Sequence, residues 1–148
     1  MSQGSMQYSS TFKASFLKRY DSDGSVWVEA IAHGTLTAKT PVKVIINEFG
    51  HVTAALADDV TNYYLGVPVS GASAGDKVWL QIGGEVADMV TPSITSVVGN
   101  SLVVLDGAIA AGGADFSGAD GEFAAATEAS TGTTHDAMLY PERMKGTT

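Results

Sequence analysis

The sequence predicts an all-β fold, a β-sandwich or β-barrel-like module carrying a short N-terminal arm. Three observations predict it: short segments in which apolar and polar residues alternate, turn-forming residues that separate them at the spacing of a sandwich or barrel, and a two-unit internal repeat. The chain has 148 residues, one domain's worth of protein. A domain of this size buries roughly 70% of the surface its unfolded chain exposes, so a core forms without staples.

Residues 1–24 read as a basic aromatic arm and residues 25–148 as one β domain. Within the arm Tyr8, Phe12, Phe16 and Tyr20 recur every four residues. That spacing lines one side of a helix and equally one face of an extended strand, so periodicity leaves both open. In either form the stripe needs cover, from its own domain or from a partner.

Asp21-Ser22-Asp23-Gly24 is turn chemistry, and after it Val26, Val28, Ala30 and Ala32 alternate with Trp27, Glu29 and His33. Val42, Val44 and Ile46 then share a face opposite Lys43 and Asn47, the Asn47–Gly50 loop turns the chain, and His51–Ala57 runs back. Tyr63–Ser70 and Lys77–Ile82 follow, joined by the Gly71–Asp76 loop, with Gly83-Gly84 as a bulge or tight bend after the second. Further strands are expected at Glu85–Val90, Leu102–Leu105, Phe116, Phe123–Thr127 and Ala137–Tyr140. The Ala-rich stretch Glu122–Ala129 fits a short helix as well.

The repeat pairs Gly34–Ala38 with Gly107–Ala111 at an offset of 73, and Gly50–Ala55 with Gly121–Ala126 at an offset of 71. It divides the body into units at about residues 34–90 and 107–140.

Composition excludes several kinds of chemistry. The chain has no cysteine, which removes zinc-thiolate sites, iron–sulfur clusters, thiol nucleophiles and disulfide scaffolds. Its formal charge of −8 opposes binding of nucleic acid by the body. The charge is uneven: residues 1–20 hold Lys13, Lys18 and Arg19 and no acid, for +3, while residues 21–148 hold 5 bases and 16 acids, for −11. Such asymmetry marks either an arm that docks on an acidic surface or a solvated leader. The weakly charged stretch Met89–Ala114 is broken by Pro92, Gly99, Asn100 and Gly112-Gly113, so no membrane span is expected.

The search for catalytic and metal sites ends in rejections. Gly71-Ala72-Ser73-Ala74-Gly75 fits the nucleophile-elbow pattern, but Asp76–Leu80 after it alternates like a strand where that motif needs a helix. Asp21–Ser25 with Glu29 places its glycine too early for a calcium loop. His33, His51 and His135 lack metal-ligand spacing. No catalytic residue, no metal and no cofactor is expected, and the protein reads as a non-enzyme. Trp27 and Trp79 lie on the faces opposite the aliphatic ones of their strands, which makes them either interface aromatics or parts of a second layer.

Four phrases then stand out in order: Gly34-Thr-Leu-Thr-Ala-Lys-Thr-Pro-Val42, Gly50-His-Val-Thr-Ala-Ala55, Tyr64-Leu-Gly-Val-Pro-Val69 and Ala74-Gly-Asp-Lys-Val-Trp-Leu-Gln-Ile-Gly83. Together they resemble the capsid cement, or decoration, proteins of tailed bacteriophages. Residues 34–90 carry all four, and residues 107–126 carry degenerate versions of the first two. The resemblance implies a β module on the outer surface of the virion capsid that stabilises the shell. It implies the major capsid protein as partner and self-association, as a trimer ahead of a dimer, with no nucleic acid and no membrane. Docking is expected on the arm, through Phe12, Lys13, Phe16, Lys18 and Arg19, with Tyr8, Tyr20, Trp27 and Trp79 as interface aromatics. A carbohydrate- or receptor-binding module of a head fibre or tail is the alternative. It would use the tryptophans as stacking platforms.

Overall fold

Alternating β-branched and polar residues become strands where one face can be buried, and strands of this kind, with others buried on both faces, account for the ten seen among the described residues of the computed structural model. They are β1 (Lys18–Tyr20), β2 (Val26–Ala32), β3 (Val42–Ile46), β4 (Val52–Leu56), β5 (Tyr64–Pro68), β6 (Lys77–Val90), β7 (Ser101–Leu105), β8 (Ala108–Ala111), β9 (Glu122–Ala126) and β10 (Thr134–Leu139). The structure describes residues 18–46, 52–56, 64–105, 108–112 and 122–140. Among the described residues there is no helix, so the fold is all-β.

The first five body strands close on themselves. β2 pairs antiparallel with β6, β6 with β5, β5 with β3 and β3 with β4. A parallel pair, Ile31↔Thr53 and Ala32↔Ala54, returns from β2 to β4 and completes the circuit. Val28, Ala30, Val42, Val44, Val78 and Leu80 fill the interior of this first unit. The filling leaves no room at Gly66: a Cβ there would lie 2.9 Å from Leu80 Cβ and 3.2 Å from Val44 Cγ2.

β6 is 14 residues long and belongs to two units. Its first half pairs with β2 and β5, and its second half pairs with β10, from Gly84↔Leu139 to Val90↔Thr134. The bend between the halves is at Gly83-Gly84. Gly84 has φ +84°, and a Cβ on it would meet the Ser25 backbone at 2.7 Å, so only glycine fits. The buried Gln81 side chain holds the bend by donating from Nε2 to the carbonyls of Gly83 and Glu85, both at 2.9 Å.

Beyond the bend the sheet continues from β10 to β9, β7 and β8. A second core forms there from Val86, Met89, Leu102, Phe123 and Leu139, and Leu65 and Val67 of β5 join it. β5 therefore stands between two cores. Gly66 faces the first, and its neighbours in sequence face the second.

The second unit repeats the first. Ala30↔Val78 returns as Met89↔His135, Val42↔Gly66 as Leu102↔Ala124, and the bridge Leu36↔Ala72 as Ser96↔Ser130, each displaced by 57–60 residues. The turn before β3, closed by Thr40 N–H to Thr37 O, matches the turn before β7, closed by Asn100 N–H to Val97 O. Both carry a positive φ at the third position, 66° at Lys39 and 92° at Gly99. The resemblance of Gly34–Ala38 to Gly107–Ala111 is thus a coincidence of small residues. The former lies in the loop containing the Leu36 bridge, and Ala108–Ala111 is a strand.

The strand expected at Phe123–Thr127 is present as Glu122–Ala126 with all five residues buried, because it is flanked by β7 and β10, each of which would lose its pairing on that side if the stretch were the alternative short helix. Lys77–Ile82 and Glu85–Val90 are one bent strand. Residues 18–20 of the arm take the extended one of the two forms left open, as β1, and β8 is a strand the sequence did not predict. Phe116 lies outside the described residues.

Candidate functional site

Of the residues singled out for docking, Lys18 and Arg19 lie on β1. The hairpin between β1 and β2 is closed by Asp21 N–H to Ser25 O at 2.9 Å and Gly24 N–H to Asp21 O at 3.1 Å, with Gly24 at φ +90°. Its ladder sets Lys18 opposite Val28, Arg19 opposite Trp27 and Tyr20 opposite Val26. Because Glu29 pairs with Trp79 and Trp27 with Gln81, Arg19, Trp27 and Trp79 share the outer face of the first unit.

There they form one cluster. The Arg19 guanidinium carbon lies 5.0 Å from the Trp27 ring centroid and 4.8 Å from that of Trp79. Its Nε also pairs with Asp21 Oδ1 at 3.0 Å. A guanidinium over an indole face is worth about 0.5–1 kcal/mol at an exposed site. Arg19 is thereby engaged within its own chain, and both indoles are half-buried beneath it.

A hydrogen-bond relay supports the cluster from the turn. Trp27 Nε1 donates to Ser25 Oγ at 3.0 Å, and that hydroxyl donates to Asp23 Oδ1 at 2.6 Å. The Ser25 backbone N–H donates to the same carboxylate oxygen at 2.9 Å. These two bonds, hydroxyl first and backbone second, hold the Asp23 carboxyl below its ordinary value. The Arg19 charge adds a smaller push in the same direction.

Lys18, Arg19 and Tyr20 therefore stand together on β1, all exposed, with Tyr20 72% accessible. Tyr8, Phe12, Lys13 and Phe16 lie outside the described residues. Sequence reasoning placed the two tryptophans on the correct face of their strands. It missed that Arg19 sits on them, and the readable signal was a cation directly before the Asp21–Gly24 turn that leads into Trp27.

Elsewhere, the Ser73 N–H donates to Asp76 Oδ2 at 2.9 Å within its turn. His135 is buried and both its ring nitrogens are used, Nδ1 with Ser96 Oγ and Nε2 with the Gly132 carbonyl, each at 3.0 Å. His51 lies outside the described residues. Among the described residues no three His, Asp or Glu side chains gather as a metal site. No helix there is long and apolar enough to cross a membrane.

Charge divides along the structural units. Residues 84–139 contain eight acids and no lysine or arginine, whereas residues 26–82 contain five acids and three lysines. The second unit thus carries a charge equal to that of the whole chain.

No protein-family model and no curated protein matches the chain. Among solved structures it is similar to the head fiber gp8.5 N base of bacteriophage phi29, at a TM-score of 0.55 and 17% sequence identity, over 84% of this chain and 99% of that one. The two chains share a fold.

Proposed function

We propose that this chain is a structural protein of a phage head, a decoration protein that binds the outside of the assembled shell and stabilises it. The observation that carries the reading is the shared fold with a phage head-fiber base over 99% of that structure. The four phrases between Gly34 and Gly83, which resemble phage cement proteins, support it from the sequence side. Stabilisation would follow from mass action: a protein that binds only the assembled lattice adds its binding free energy to that state. Several weak contacts held by one oligomer would suffice for firm attachment.

Docking falls to β1 and the residues before it, with Lys18 and Tyr20 as contacts. Arg19 serves as a positioning residue that fixes β1 on the body through Trp27 and Trp79. A second reading, the base of a head fibre, draws on the same fold match.

Mixing purified protein with undecorated heads tests the reading. Co-sedimentation together with a raised temperature of head disruption is the expected result, and unchanged heads would sink it. Electron microscopy of the complex separates the two readings. Copies at every equivalent lattice point mean decoration, and sparse copies carrying a projecting shaft mean a fibre base.

A further inference from the structure

We infer that the Val97–Asn100 turn of the second unit is a separate docking site, a seat for an extended basic segment of the shell protein. The inference rests on the proposed function and adds to it a contact remote in sequence from β1.

Two equivalent turns carry it. The Lys39 N–H donates to the Pro68 carbonyl and the Gly99 N–H to the Ala126 carbonyl, both at 2.8 Å, so each turn hangs on the end of a neighbouring strand. In the first unit that turn is also met from outside. The second half of β6 lies against it, and the Val90 N–H donates to the Lys39 carbonyl at 2.9 Å. In the second unit the Gly99 carbonyl accepts no such bond among the described residues. The same acceptor stands in the same turn without a strand to meet it.

The side chains differ in the same sense. The covered turn opens with Thr37 and Ala38, whereas the uncovered one opens with Val97 and Val98, which are 54% and 67% exposed. Turn geometry does not call for either valine. Gly99 supplies the positive φ, and Asn100 Oδ1 accepts the Val97 N–H at 3.0 Å. Adjacent apolar side chains left in water without a local role mark a contact surface.

The first unit also shows what such a turn accepts: an extended backbone offering an N–H. Charge narrows the choice further. Thr127, which follows Ala126, donates from its hydroxyl to Glu85 Oε2 at 3.2 Å, and Glu128 comes next, both carboxylates being exposed. The surrounding unit has eight acids and no lysine or arginine. A segment that sets lysine or arginine beside its apolar residues is attracted there, and an acidic segment is repelled. Main-chain bonding supplies attachment in this mode, and side chains choose the partner.

The test titrates the purified full chain onto undecorated heads. Val98→Asp should weaken binding at least about tenfold, and Glu128→Lys about threefold. Both variants should keep the parent's circular dichroism and melting temperature, because both sites are exposed. A photo-reactive benzoyl-phenylalanine at position 98 should cross-link to the shell protein within a few residues of a lysine or arginine. Heads that fail to bind the parent chain remove the proposed function and this inference with it. Heads that bind the parent and Val98→Asp alike overturn the inference alone, as do cross-links confined to acidic segments or to another copy of this chain.

Discussion

The two units share a pattern of pairing but not the chemistry of their seams. In the first, Leu36, Ala72 and Val78 meet where a loop bridge crosses the sheet and pack into the core. In the second, the matching positions are Ser96, Ser130 and His135. The Ser96 hydroxyl and the His135 ring hydrogen-bond in a place from which water is excluded. The Gly132 carbonyl can only accept, so the neutral ring carries its proton on Nε2, and Nδ1 accepts from Ser96. The same backbone tolerates an oily seam or a polar one. The polar one demands every partner, because a buried group left unmatched costs about 1–3 kcal/mol.

The largest expected effect comes from the strand that both units use. Gly84→Val should destabilise both units together by about 3 kcal/mol or more, since its side chain would strike the Ser25 backbone, which has nowhere to move. Urea denaturation followed by far-ultraviolet dichroism measures it, and a loss confined to one unit would break the idea of a common hinge.

Next comes the seam itself. His135→Val should cost about 2 kcal/mol by stranding the Ser96 hydroxyl. Ser96→Leu with His135→Val rebuilds the apolar seam of the first unit and should recover at least half of that loss. A double variant no more stable than His135→Val alone would mean that the seams are not interchangeable.

On the outer face of the first unit, Trp79→Ala removes one of the two rings beneath Arg19. It should lower stability by about 1–2 kcal/mol and speed amide exchange at residues 18–20. Unchanged exchange there would mean that the β1 ladder alone holds the strand.

Lys39 and Gly99 occupy the same turn position with φ of 66° and 92°. Lys39→Gly should therefore stabilise the first unit, by about 0.5–1 kcal/mol, as it gives that turn the residue the second already has. The smallest effect concerns acid. The Asp23 carboxyl titrates below its ordinary value of 3.8, so its contribution is complete above that value and is lost as pH falls through the lowered one. Trp27 fluorescence should report the loosening of the turn below pH 3.8, and Asp23→Asn should remove that step.

Much of the first unit was legible in the sequence because its strands alternate cleanly, from Val28, Ala30 and Ala32 to Val78, Leu80 and Ile82. The second unit was harder to read. In β9 both faces are buried, so Glu122–Ala126 shows no alternation, and its alanines suit a helix equally well. β8 is three alanines and an isoleucine between glycines, indistinguishable from a loop until β7 pairs with it. The repeat was sensed at the wrong offset because what recurs is the ladder and not the side chains: Leu36 and Ser96 are equivalent and share no chemistry. At the candidate site, the face of each tryptophan followed from strand periodicity. The stacking of Arg19 did not, since it depends on a hairpin that pairs β1 with β2.

The continuous strand β6 also governs how fast the molecule can assemble. Its pairings with β2 and with β10 each join residues about fifty positions apart, such as Val28 with Leu80 and Val86 with Ala137. Neither closure can be completed by local contacts, so folding should take milliseconds to seconds, as in other chains dominated by distant pairings. One segment must wait for both of its neighbours in sequence. Substitutions in β6 should therefore slow refolding more than equally destabilising ones in the β3–β4 hairpin, whose strands meet across a short loop.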